Sequence, residues 1–324
     1  MPGSIRASGI NEEVGSVEES IGQVKVTTAF SEELWRRRGA RSPWAEALRR
    51  LMRNKLALVG IAIIGTVVFV ALFAPVLAQQ HPDKNGIWKA FPKENKLPPS
   101  LAHPMGTDDL GRDMLSLIMY GARISLLVGV FSVSLAIVIG STLGAIAGYL
   151  GGAVDNLIMR LMDVMLAFPT ILLALAIVVV IGPGLFNAMV AVGIVSIPTY
   201  ARITRSTVLG ESNKDYVLAA SALGVRKRHI LLRHIMPNAL SPIIVSASLG
   251  IATAILDAAG LGFLGLGAQP PTPEWGLLLG RNKSHMFTSP WMVFFPGVSI
   301  MFLVLGFNLL GDGLRDALDP RLRH

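Results

Sequence analysis

The feature that most constrains this chain is the run Leu56–Ala78, which carries no charged side chain from end to end. At 1.5 Å per helical residue it is long enough to cross ~30 Å of hydrocarbon. Lipid offers backbone amides no partner, so such a segment has to be a helix. Five further apolar runs follow, at about Ile124–Ala147, Leu157–Ile181, Leu185–Tyr200, Leu240–Ala259 and Trp291–Leu310. The expected fold is an all-α membrane protein with six transmembrane helices. Composition agrees: 52% of the 324 residues are hydrophobic, only 15% are charged, and mean hydropathy is +0.56. Soluble domains do not have this composition.

Charge sets the expected topology. Ten Lys/Arg precede the first span, seven lie in 202–234 and three lie beyond residue 310. Basic loops stay inside, so both termini and Lys214 are expected to be cytoplasmic, with Lys84 and Glu274 external. The net charge of +8 is then loop bias and not a nucleic-acid surface. Cysteine is absent, which leaves no disulfide and no thiolate metal site. No Gly-x-x-x-x-Gly-Lys-Ser/Thr occurs, so the chain has no P-loop with which to hold ATP and Mg itself.

Residues 1–41 are polar and without apolar period, and read as a disordered cytoplasmic tail. Residues 42–54 read as an amphipathic interfacial helix: Ser42-Pro43 opens it, Trp44, Leu48, Leu51 and Met52 share one face, and Arg49, Arg50 and Arg53 fill the other. Residues 55–318 form the six-span domain, with external loops at 79–123 and 260–290 and a cytoplasmic loop at 201–238. Residues 319–324 are a second cytoplasmic tail.

Three local features carry further expectations. Thr107 is expected to cap a helix whose first turn holds Asp108 and Asp109. Asp109 and Asp113 lie one turn apart, but Arg112 competes for both carboxylates and no metal is expected there. Gly140, Gly144 and Gly148 stand at helix-packing intervals in the second span. The third span contains Asp163 and a kink-forming Pro169. Two readings of Asp163 stand: a structural one, with a partner such as Arg160 or an interfacial position, and a direct role in transport.

The stretch 212–238 is a polar, basic island in this apolar chain. Ser212 with Asp215 has capping-box spacing. Tyr216–Leu223 is rich in helix formers, and Gly224 sits where a helix ends in a left-handed residue. A second helix is expected from Val225 to Met236, stopped by Pro237. Ala219, Ala220 and Gly224 leave the backbone approachable, inside a rim of Arg226, Lys227, Arg228 and Arg233. The spacing allows either a solvated loop that only fixes orientation or a docking surface for another protein.

Ala219-Ala220, three residues, Gly224, nine residues and His234-x-x-Pro237 together resemble the EAA loop of membrane subunits of binding-protein-dependent ABC importers. Gly106 through Asp113, Gly121 through Leu126, Gln269 through Trp275 and Asp312 through Pro320 are similar to segments of C-type permeases of dipeptide and oligopeptide importers. The resemblance covers the chain from about residue 43. It implies a type I ABC importer permease fold in the inner membrane of a prokaryote. It also implies a heterodimer with a B-type permease, one or two cytoplasmic ATPase subunits that bind ATP and Mg, and an extracytoplasmic peptide-binding protein. The ATPase-coupling residues would be Asp215, Leu218, Ala219, Ala220, Gly224, Arg226, His234 and Pro237. Leu218 stands where the family has Glu, and Met236 where it has Leu. Asp108, Asp109, Arg112 and Asp113 would form an external gate or docking element, with Asp163 the intramembrane candidate. Di- and oligopeptides are the implied solutes, with glutathione or a nickel chelate as the alternative.

Two other classes fit less well. An intramembrane enzyme needs paired Asp, paired His or Ser/Lys in its spans, and the six His, at 81, 103, 229, 234, 285 and 324, are scattered. An ion channel needs a pore-lining ring of charges or carbonyls, and these spans hold almost no charge.

Overall fold

The computed structural model describes residues 43–83 and 86–318. The expectations for the tails 1–41 and 319–324, for Ser42 and for Lys84 lie outside the described residues. So does the side chain of Trp44 in α1 (Pro43–Leu51), a helix that leaves Leu48 exposed and Leu51 buried.

α2 (Lys55–Leu77) is the first span, capped by Asn54, whose side-chain oxygen accepts from the amides of Leu56 at 3.0 Å and Ala57 at 3.2 Å. α3 (Met114–Leu150) begins well before the apolar run Ile124–Ala147, because Asp113 caps it by accepting from Ser116 N at 2.8 Å. Thr107 is not the cap. Its hydroxyl donates to the Glu94 carbonyl at 2.5 Å and accepts from Leu97 N at 2.8 Å, so partners ten or more residues away displace the local capping role.

The third span is broken. α4 (Gly152–Leu166) and α5 (Thr170–Ile181) meet at 92° around Ala167–Pro169, and together they count as one of six crossings. Pro169 ends up as the N-cap of α5, and the kink expected there is a near right-angle turn. α6 (Leu185–Ser212) runs twelve residues past Tyr200, into the polar stretch. α7 is Asp215–Ala222, and α8 is Lys227–Phe263. The external segment 260–290 holds a further short helix, α9 (Trp275–Asn282), and α10 (Trp291–Leu318) closes the described chain. Among the described residues the only β pairing is the bridge Thr107–Asp113.

α3 and α6 form the centre, α8 packs on both, and α10 joins α8 to α2. Gly140, Gly144 and Gly148 line the α3 side of the central seam. A methyl built on Gly144 would stand 2.2 Å from the Ala201 carbonyl oxygen, so α6 passes backbone against backbone. At the other end of α3, Trp275 is fully buried and its Nε1 donates to the Ile118 carbonyl at 3.0 Å, which fixes α9 against the bundle.

Candidate functional site

The polar stretch folds into a compact elbow between α6 and α8. α7 ends in two backbone bonds: Gly224 N donates to Ser221 O at 3.0 Å and Val225 N to Ala220 O at 3.1 Å. This pairing needs a left-handed residue, which Gly224 supplies at φ +78°. Beneath α7, Val217 packs with Ala145, Val208, Ile230 and Ile235, so the elbow shares a small core with α3, α6 and α8.

Tyr216 pins the elbow to both flanking spans. Its hydroxyl donates to Glu211 Oε2 of α6 at 2.6 Å and accepts from Asn238 Nδ2 of α8 at 3.0 Å. Asn238 Nδ2 also donates to the His234 carbonyl at 2.9 Å, and Lys214 Nζ to Glu211 Oε1 at 2.5 Å. Burial, with the Glu211 carboxylate beside it, pushes the Tyr216 phenol above its ordinary value. It therefore stays protonated, and a donor, across the physiological range. Sequence reading missed Tyr216, Glu211 and Asn238. Their partners lie five to twenty-two residues apart, and no local pattern announces them.

The outward side of the elbow is apolar at its centre. Leu218 is 57% exposed and Leu223 84% exposed, with Ala219 exposed between them. Asp215, in the first turn of α7, and Arg226, the N-cap residue before α8, are exposed on the rim. Ala220 is half-buried and packs inward with the core beneath α7.

Two expectations are corrected here. Ser212 does not cap α7. It is the last residue of α6, its hydroxyl donates back to Val208 O at 2.7 Å, and Lys214 takes the cap position. Pro237 does not stop a helix at Met236. Ile230–Ile235 form a π turn that absorbs the missing proline donor, and the helix runs on to Phe263. His234 sits in that turn with its ring edge-on to His229 at 5.8 Å between centroids.

At the opposite end of α3 the acidic segment is held in ion pairs and hydrogen bonds, with one oxygen, Asp109 Oδ1, buried without a hydrogen-bond partner among the described residues. Arg112 pairs with Asp108 at 2.5 Å through Nη2 and 2.7 Å through Nε, and both side chains are almost fully buried. Asp113 is fully buried, accepts from Ser116, and meets His103 Nδ1 at 3.1 Å. Asp109 faces Arg281 of α9 at 3.6 Å. Asp109 and Asp113 therefore hold different partners and do not act as a pair. Glu274, expected on the external side, is a buried cap of α9 that accepts from the amides of Gly276 at 2.8 Å and Leu277 at 2.7 Å. Burial raises its carboxyl above the ordinary range, against the pull of those two donors.

Asp163 pairs with Arg202 of α6 at 2.5 Å, not with Arg160. Three residues further along α6, Arg205 grips Asp155 in two bonds of 2.5 and 2.6 Å.

Residues 140–324 match the family of binding-protein-dependent transport system inner membrane components, and residues 42–99 match the N-terminal TM domain of oligopeptide transport permease C. The chain belongs to this permease family. Its relatives include the dipeptide transport system permease protein of Alkalihalophilus pseudofirmus, 51% identical over 87% of this chain and 91% of that one. The corresponding protein of Escherichia coli K12 is 49% identical over 87% and 94%. A glutathione transport system permease protein of Pectobacterium atrosepticum is 44% identical over 89% and 94%. The inward-facing MetNI methionine ABC transporter shares the fold, with a TM-score of 0.54 and 20% identity over 64% of this chain and 98% of that one. A permease of this family is a multi-pass inner-membrane protein that works with an ATPase and a substrate-binding protein.

Proposed function

We propose that this permease is the C-type half of a heterodimeric channel that passes short peptides inward by alternating access. A B-type permease supplies the other half, one or two ATPase subunits hold ATP and Mg on the cytoplasmic side, and an extracytoplasmic binding protein delivers the peptide. This chain itself catalyses no reaction and needs no cofactor. Both termini and the elbow are cytoplasmic, and the Asp108–Asp113 segment faces outward as part of a gate or docking element.

The observation that carries the mechanism is the clamp on the elbow. α7 is separated from α6 only by Asn213 and Lys214, is bonded to α6 and to α8 through Tyr216, and presents Leu218, Ala219 and Leu223 outward. A body docked on that face moves two spans at once, which is what a coupling free energy between two sites requires. Asp215 and Arg226 flank this face, and His234 and Pro237 set the π turn behind it. The substrate class follows the dipeptide permeases that share about half of this chain's residues. Glutathione is the second reading, on the strength of the 44% identical relative.

Proteoliposomes holding the complete complex test the assignment. Uptake of labelled dipeptide, dependent on ATP and the binding protein, is expected; uptake of glutathione alone would move the assignment to the second reading. Orientation is read from single cysteines in this cysteine-free chain. A Cys at Phe287, 94% exposed, is expected to label from outside, and one at Leu223, 84% exposed, only from inside.

A further inference from the structure

A groove of about 280 Å³ opens sideways between α2 and α10. Val67 and Val70 of α2 and Phe302 of α10 form its walls, and the buried Ile118, Ala122 and Trp275 form its floor. Thr66 and Phe302 are exposed at its lips, so the groove is open to whatever surrounds the two helices. These wall residues lie in the middle of the apolar runs 56–78 and 291–310, where the surroundings are lipid tails.

The polar side chains of the lining are already bonded. Thr66 Oγ1 donates to Ala62 O at 2.8 Å, Ser299 Oγ to Phe295 O at 2.8 Å, and Trp275 Nε1 to Ile118 O at 3.0 Å. An ordered water needs several polar partners, and this groove has no free side-chain donor to give one. A polar solute meets the same refusal, whereas a hydrocarbon chain does not.

Arg123 stands at the rim. It follows Ala122 of the floor, and its guanidinium meets the carbonyls of Ala71 and Leu72, next to Val70 of the wall. Those bonds use Nε and one proton of Nη2, which leaves both Nη1 protons free. Among the described residues no carboxylate pairs with it. Arg123 immediately precedes the apolar run 124–147, and its contacts lie about 8 Å from the Leu77 end of α2 at 1.5 Å per residue. From that depth a long cationic side chain reaches the headgroup layer.

We propose that the groove is a binding site for an anionic phospholipid. One acyl chain lies between α2 and α10 over Trp275, and the phosphate pairs with the free edge of the Arg123 guanidinium. The apolar groove and the uncompensated cation stand side by side, and a phospholipid supplies tail and anion in one molecule. The site is independent of which solute the importer carries.

The test uses the complete complex in phosphatidylcholine vesicles doped with phosphatidylglycerol that carries a diazirine in one acyl chain. Illumination and peptide mass spectrometry are expected to place adducts on residues 63–70 and 299–302, in higher yield than from phosphatidylcholine with the same labelled chain. No adduct in those segments, or equal yields from the two lipids, overturns the site. Val180, 85% exposed on the apolar α5, is the control and is expected to label without headgroup preference. Ser299→Phe fills the groove and is expected to abolish its adducts while Val180 still labels; undiminished labelling in the groove overturns the place of the tail. Arg123→Gln is read in a Pro75→Ala background, where α2 gives Ala71 O its own donor. Groove labelling is expected to persist there with the preference for phosphatidylglycerol lost, and a retained preference overturns the headgroup contact. A benzophenone amino acid at Thr66 is expected to give lipid adducts; an adduct with the second permease in their place would put a protein chain in the groove and overturn the lipid assignment.

Discussion

Arg123 reaches from α3 to the carbonyl oxygen of Ala71 in α2. Pro75 lies four residues beyond Ala71, inside the same helix, and has no N–H to give to that carbonyl. Arg123 supplies the missing donor through Nε, and its Nη2 donates to Leu72 O at 3.0 Å. The guanidinium also lies over the Tyr120 ring at 5.5 Å. The carbonyl that Pro75 leaves without a donor in the first span is thus satisfied by a side chain of the second.

Arg123→Gln is therefore expected to destabilise the bundle by about 1–3 kcal/mol, the range for leaving a buried polar group short of its partner. In a Pro75→Ala background the helix satisfies Ala71 itself, so the same substitution is expected to cost less. Thermal unfolding of the four proteins in one detergent measures the difference, and equal costs in both backgrounds would show that the two residues act independently.

Gly144→Ala is expected to separate α3 from α6, because the added methyl has only the Ala201 backbone to displace. A cost of about 1–3 kcal/mol follows from overpacking. It is measured as a lowered melting temperature and a lower yield of folded protein. Gly65→Ala is the control, since no atom lies within 4 Å of the added methyl.

Asp108→Asn leaves the Arg112 guanidinium buried without its counter-charge. Breaking a buried pair costs about 3–5 kcal/mol. Asp109→Asn, whose contact with Arg281 is longer and partly exposed, is expected to cost far less. Thermal unfolding of the two variants side by side checks the ranking.

Tyr216→Phe removes the hydrogen bonds of the elbow and keeps its packing. Folding and membrane insertion are expected to survive, while peptide uptake per ATP hydrolysed falls. The pH dependence has a fixed sign. The folded-state value of the phenol is raised, so its contribution is fully present below the unfolded value of about 10 and is lost only as pH rises above it. Coupling measured from pH 6 to 8 is expected to show no step from this group.

The spans were legible because lipid leaves an apolar run a single solution, the helix, and that logic found the five long apolar helices and the bent pair α4–α5. Gly224 was legible for a comparable reason: a left-handed residue has a strong local preference. What escaped was set by partners distant in sequence. Thr107 gave up a cap for Glu94 and Leu97. Pro237, a helix stop by local rules, lies within a continuous helix because a π turn shifts the hydrogen-bond register before it. Asp163 found Arg202 across a helix interface, where the nearer Arg160 was the local expectation. The 92° turn at Ala167–Pro169 is set by packing of α4 and α5 against neighbouring helices, and a proline in the sequence reports a kink without its size.

Leu218 bears on the coupling surface from a different side. It stands exposed, so Leu218→Glu, the residue that the resemblance to the EAA loop leads one to expect there, should leave the fold unchanged. Retained coupling in that variant would mean a polar receiving site on the ATPase, and lost coupling an apolar one. ATPase and uptake rates of the assembled complex separate the two.

The most direct test of the account is the number of peptides imported per ATP hydrolysed by complexes carrying Gly224→Val or Leu223→Glu. The first strains a backbone held at φ +78° by about 1–3 kcal/mol, and the second places a charge at the centre of the outward face of the elbow. The account predicts normal insertion with either weakened ATPase assembly or hydrolysis uncoupled from uptake in both variants; wild-type coupling in both would contradict it.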